Sequence, residues 1–116
     1  MAEKENVLTL TYDLLKYIIP QLAKYPRAQK FLLADRIQLN LMDILDLLIE
    51  AYYAKSVDFK KSNLLKVNLL LEKLRYLVRL SHDLHCINTD RYEILQRMVN
   101  EIGKQTGGWL KSMTAA

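Results

Sequence analysis

At 116 residues, 51% of them apolar, the chain is long enough for one domain with a real core and too short for two. Its formal charge of +4, from 17 Lys and Arg against 13 Asp and Glu, is modest. No apolar run reaches the ~18 residues of a membrane span, three glycines and two prolines leave little room for β-turns, and a single cysteine, Cys86, excludes an internal disulfide. The charged start Met1-Ala2-Glu3-Lys4-Glu5-Asn6 carries no signal-peptide pattern. With the lone thiol, this gives the expectation of one all-α, cytoplasmic domain over residues 1–116, without membrane contact.

The first helical pattern runs from about Val7 to Lys24, where Leu8, Tyr12, Leu15, Ile18, Ile19 and Leu22 recur at three and four residues. Pro20 lies inside it, deletes a backbone donor and crowds the carbonyl of Lys16, which predicts a kink. Tyr25-Pro26 stops this helix, because the residue before a proline is pushed to extended geometry and proline suits the first turn of the next helix. From Phe31 to Tyr53 there is no Gly or Pro. Asp35, Arg36, Asp43, Asp46 and Glu50 share one side there, while Phe31, Ile37, Leu41, Ile44, Leu45, Leu48, Ile49 and Tyr52 cover about half the circumference. So wide an apolar arc needs neighbours on two sides, which predicts a bundle and hints that the bundle meets copies of itself.

Ser56 or Asp58 is placed to cap a third helix from about Phe59 to His85. Leu64, Val67, Leu71, Leu74, Val78 and His85 form one line on it, with Leu70, Leu77, Leu80 and Leu84 beside them. Thr89 or Asp90 opens a fourth helix with Ile94, Leu95, Met98, Val99 and Ile102 on its inner face. Four helices with short links predict an antiparallel up-down-up-down bundle. Near the end, Gly103, Gly107 and Gly108 allow two outcomes. Either the helix stops near Gly103, or it continues and the pair Gly103 and Gly107, four apart, lets another backbone approach closely. Continuation is the expectation, with Gly103, Gly107 and the large anchor Trp109 as a candidate oligomer interface and Trp109 facing either a sister subunit or its own core.

Several segments carry a resemblance. Tyr12-Asp13-Leu14-Leu15-Lys16 with Pro20, Lys24-Tyr25-Pro26-Arg27, Leu33-Ala34-Asp35-Arg36-Ile37, and Ile102-Gly103 followed by Gly107-Gly108-Trp109-Leu110-Lys111-Ser112 occur in that order. The chain resembles the four-helix-bundle family of ribosomal-RNA intervening-sequence proteins and, within it, the accessory variability determinants (Avd) of diversity-generating retroelements. Ala34 departs from an expected glycine and Thr106 from a larger apolar residue. The resemblance implies a homopentameric barrel with a positive surface. It also implies binding to the retroelement's reverse transcriptase and to nucleic acid, RNA or DNA, in support of mutagenic copying of a template RNA.

The charge is uneven in a way that suits such a partner. Residues 57–87 carry Lys60, Lys61, Lys66, Lys73, Arg75 and Arg79 against Asp58, Glu72 and Asp83, whereas residues 1–56 are balanced. Lys61, Arg75 and Arg79 lie within about 40° on the third helix and are the leading candidates for nucleic-acid contact. Arg27 and Lys30 at the corner, and Arg91 and Arg97 on the fourth helix, are secondary candidates. The bland alternative is a solvated face, with Glu72 and Asp83 pairing locally with Arg75 and Arg79. Tyr76 borders the strip and either stacks on a base or packs between helices. His82 and Cys86 share a face, but a metal needs three or four ligands and the sequence shows no partner cluster. No P-loop ending or nucleophile motif appears, so neither catalysis nor a cofactor is expected. The competing functional readings are a scaffold for an acidic protein partner and a weak, non-specific RNA binder outside any retroelement.

Overall fold

Amphipathic segments joined by short links can hide their apolar faces only against one another. In the computed structural model, which describes residues 2–114, four long helices do so: α1 (Ala2–Leu22), α2 (Asp35–Tyr53), α3 (Val57–Asp83) and α4 (Thr89–Thr114). No strand occurs among the described residues. The helices form a square in which α1 and α3 each pack on both α2 and α4. Leu14 and Ile18 of α1, Ile37, Leu41 and Ile44 of α2, Leu71 and Leu74 of α3, and Leu95, Ile102 and Trp109 of α4 fill its axis. The packed rod measures 47 × 23 × 20 Å.

Neighbouring helices run antiparallel, and two buried asparagines peg one such pair. Asn40 Nδ2 donates to the Leu70 carbonyl at 3.0 Å and Asn63 Nδ2 to the Leu47 carbonyl at 3.1 Å, linking α2 to α3. The α2–α3 link is tight because both helix ends are satisfied locally. Ser56 Oγ accepts from the Phe59 N–H at 3.2 Å, and Lys60 Nζ donates to the carbonyls of Ala51 and Tyr52 at 2.8 and 3.3 Å. One of the surplus cations thus closes the end of α2, where the helix dipole favours it.

Boundaries differ from the sequence reading where tertiary packing intervenes. The first helix already starts at Ala2 and runs through Pro20 to Leu22. Between Pro26 and α2 lie a short turn, Arg27–Gln29, and a π-helical turn, Lys30–Ala34, closed by the Asp35 N–H on the Lys30 carbonyl. That wider turn rotates the register, so Leu33 and Ala34 point inward while Phe31 and Leu32 are each 75% exposed. Phe31 therefore does not belong to the buried arc of the second helix. Ile49, Leu80 and Leu84, expected on apolar faces, are also exposed.

The third helix ends at Asp83, not His85, in a Schellman motif. His85 takes a left-handed φ of 62°, its N–H bonds the His82 carbonyl, and the Cys86 N–H bonds the Ser81 carbonyl at 2.8 Å. Asn88 caps α4, its Oδ1 accepting from the Arg91 N–H at 2.8 Å. That helix continues through all three glycines to Thr114.

Trp109 is 1% exposed and sits in the core of its own chain. This corrects its assignment to an oligomer interface: the indole is already enclosed and leaves no surface for a sister subunit. Thr106, one turn earlier, is fully buried with its hydroxyl lacking a hydrogen-bond partner. Burying an unpaired hydroxyl is unfavourable, and valine has the same shape without it. Thr106→Val is expected to raise the unfolding free energy by about 0.5–1.5 kcal/mol, read as a higher urea midpoint at unchanged slope; a lower midpoint would show that the hydroxyl is satisfied in solution.

Candidate nucleic-acid interface

Where α3 crosses beside α4, the apolar core gives way to a polar seam. Residues at i, i+3 and i+4 on α3 share a face, so Glu72, Arg75, Tyr76 and Arg79 form one side of the seam. Gln96 and Asn100, four apart on α4, form the other. Together they line an open cleft of about 390 Å³. Gln96 Nε2 donates to the Arg75 carbonyl at 3.3 Å and ties the two helices at mid-cleft.

Arg75 is the fixed point. Its Nε donates to Asn100 Oδ1 at 3.0 Å and its Nη1 to Glu72 Oε2 at 3.2 Å. Its Nη2 lies only 2.9 Å from where a Cβ on Gly103 would stand. The end of the guanidinium therefore lies against α4 beside Gly103, where an added Cβ would oblige it to shift. Within the chain, what approaches Gly103 is a side chain of α3. Gly107 and Gly108 have nothing within 4 Å and remain open surface.

Arg79 is exposed, and Tyr76 is 65% exposed. Of the pairings expected by the bland reading, Glu72 with Arg75 forms, at 3.2 Å, and that neutralises much of the charge on Arg75. Arg79 takes part in no ion pair among the described residues and is the cleft's uncompensated cation.

The other candidates lie elsewhere. Lys61 is half-buried on α3, fourteen residues and so about 21 Å along the helix from Arg75. Arg27 and Lys30 are exposed at the α1–α2 corner. Arg91 stands with Lys24, Gln21 and Cys86 around a cavity of about 190 Å³ at the end of the bundle. Arg97 lies beside Leu10, Met98 and Glu101 on the α1–α4 side. The structure thus brings Arg75 and Arg79 together and leaves the remaining five apart within one chain. Gln96 and Asn100 escaped the sequence reading, although their four-residue spacing, continued by Gly103, marks a polar line on α4.

The seam continues to His82, whose ring stacks on Tyr92 with centroids 4.5 Å apart and whose Nε2 is 3.2 Å from Thr89 Oγ1. Burial pushes the Cys86 thiol up, so it stays protonated at neutral pH and is a poor ligand or nucleophile. Among the described residues no cluster of three or more His, Cys, Asp or Glu could hold a metal ion. The groove between α2 and α3 has the opposite sign, with Asp43, Asp46 and Glu50 beside Lys66 and Leu69. No helix of the described residues is long and apolar enough to cross a membrane.

Four antiparallel helices with a cation-bearing seam on one side and an acidic groove on the other define an all-helical bundle protein. The sequence model of the bAvd-like family matches residues 6–113, nearly the whole chain, and the chain belongs to that family. No curated protein matches it.

The glycine slot makes a differential prediction. Gly107→Ala, in open space, should stabilise α4 by about 0.5–1 kcal/mol. Gly103→Ala gains the same helix propensity but must displace the Arg75 guanidinium, so its net change should be clearly smaller. Equal stabilisation of both variants in urea titrations would show that Arg75 does not occupy the slot.

Proposed function

We propose that the chain is a non-catalytic accessory of a diversity-generating retroelement. In this reading it is a homo-oligomer, pentameric by the resemblance, that binds template RNA through its basic surface, meets the reverse transcriptase and supports mutagenic copying. The observation that carries the reading is the α3–α4 cleft, where Arg75, Arg79 and an exposed Tyr76 converge on one open groove. Cations beside a nucleic-acid backbone release counterions and give affinity without sequence selectivity, and an exposed tyrosine offers bases a stacking surface. Membership in the bAvd-like family supports the retroelement setting.

Exposed apolar surface supports the oligomer. Leu39, Met42, Ile49 and Tyr53 recur along the outer side of α2, and Leu65, Leu69 and Leu80 along that of α3. Large apolar stripes of this kind mark contact surfaces. A ring with an odd number of subunits needs two unlike surfaces that meet head to tail. The apolar α2–α3 face, flanked by Asp43 and Asp46, supplies one; Tyr12 and Ile19, seven apart on α1, are exposed and supply the other. Five copies would place five basic clefts around one axis, and their fields would add.

Binding of a uridine-only single-stranded RNA, followed between 50 and 200 mM salt, tests the nucleic-acid half. Arg79→Glu should weaken binding about tenfold and reduce the slope of log K against log [salt] by about one or two. Arg75→Gln should do less, since Glu72 already pairs with it. An unchanged slope for Arg79→Glu, or binding to an acidic protein with none to RNA, favours the scaffold instead. For the assembly, Leu65→Glu with Leu69→Glu should convert a multimer to a helical single chain in light scattering; a wild-type chain that is already single removes the ring.

A further inference from the structure

The cleft contains more than a phosphate contact requires. Phosphate binding calls for cations, yet a carboxylate, two side-chain amides and an exposed aromatic ring stand beside the two arginines. An acidic side chain in an RNA groove opposes the backbone. It favours only a group that donates hydrogen bonds, since an ionised carboxylate can only accept them. Glu72 is exposed, and its Oε2 accepts from Arg75 Nη1 at 3.2 Å, which turns the carboxylate toward the arginine.

Acceptor and donor are therefore set edge to edge. Glu72 presents carboxylate lone pairs, and next to it stand the N–H groups of Arg75 and the amide NH₂ of Asn100, whose Oδ1 is turned to Arg75 Nε. Of the four RNA bases, guanine alone offers the complementary edge. Its N1–H and N2–H donors are adjacent and its O6 acceptor lies beside them. Adenine and cytosine place a ring-nitrogen lone pair next to a single amino donor, so a carboxylate is repelled at one of its two positions. Uracil has one N–H flanked by two acceptors. Tyr76, one helical turn from Glu72 and 65% exposed, is placed to stack on the face of a base. Arg79, three residues further on, is placed to take a flanking phosphate.

We propose that the α3–α4 cleft accepts one unstacked guanine of a single-stranded RNA, stacked on Tyr76 and read along its Watson–Crick edge by Glu72 together with Arg75 and Asn100. Gly103 is a positioning residue in this site, since the missing Cβ leaves room for Arg75 Nη2 while its Nε and Nη1 bond Asn100 and Glu72. The inference rests on the RNA-binding reading above and adds base selectivity to it. Sequence-independent counterion release carries the strand, and the cleft selects where along the strand a subunit settles.

The test uses the full chain and labelled heptauridine RNAs whose central base is U, A, C or G, compared by fluorescence anisotropy. The central G should bind roughly five- to tenfold more tightly than A or C. Glu72→Gln should reduce that preference to twofold or less while tightening binding to plain heptauridine, because a negative charge leaves the groove. Gly103→Ala, with helicity unchanged, should also lose the preference, through displacement of Arg75. If all four RNAs bind the wild type equally and in a salt-dependent manner, the guanine pocket is wrong and the RNA reading stands. If none of them binds, both are wrong. An equal gain for all four RNAs on Glu72→Gln overturns the pocket in favour of a purely electrostatic groove. Micromolar binding of GMP itself, with no gain from flanking uridines, overturns it in favour of a mononucleotide site.

Discussion

The packing of α3 against α4 turns on one side chain. Arg75 is too long and too polar to enter the core, yet it stands on the side of α3 that faces α4, against Asn100 and Gly103. The chain accommodates it by removing a Cβ at Gly103 and supplying an acceptor at Asn100 and a counter-charge at Glu72. A Cβ at Gly103 would meet Arg75 Nη2 and shift the guanidinium that lines the cleft with Tyr76 and Arg79. The glycine costs α4 helix propensity, and the continuous core beneath, with Leu95, Val99, Ile102 and Trp109 all buried, offsets it.

Much of this was legible in the sequence because helical periodicity is a local signal. The four amphipathic segments, the stop at Tyr25-Pro26 and the cap at Ser56 follow from neighbours within a few residues. The continuation through the terminal glycines was also expected, from the four-residue spacing of Gly103 and Gly107. What escaped was non-local. Lys60 closes the end of a helix that precedes it in the chain, Gly103 answers an arginine 28 positions earlier, and Trp109 turns inward because the surrounding helices leave room for it. The π-helical turn was hidden for a related reason: Phe31-Leu32-Leu33 reads as apolar whichever member faces in, and only the angle of the corner selects Leu33. Asn88 was overlooked as a cap because Thr89 and Asp90 are equally good capping residues by type.

The two outer seams of α3 carry opposite chemistry. Toward α4 they offer arginine, amide and aromatic groups; toward α2, three carboxylates amid exposed leucines. In the proposed assembly the apolar and acidic side is consumed by contact between copies, while the basic side stays open to RNA. The two surfaces adjoin on α3, because Tyr76 of the cleft lies on one line with the exposed Leu69 and Leu80, seven and four residues away.

The cleft depends on Arg75 being fixed beside Gly103, and arginine side-chain resonances report this directly. In ¹H–¹⁵N spectra of the free protein, Arg75 Nε–H should give a resolved signal, shifted from the other arginines and slow to exchange with water, and Gly103→Ala should collapse it into the common envelope. A wild-type Arg75 Nε–H that exchanges as fast as that of the exposed Arg97 would contradict the pre-organised cleft.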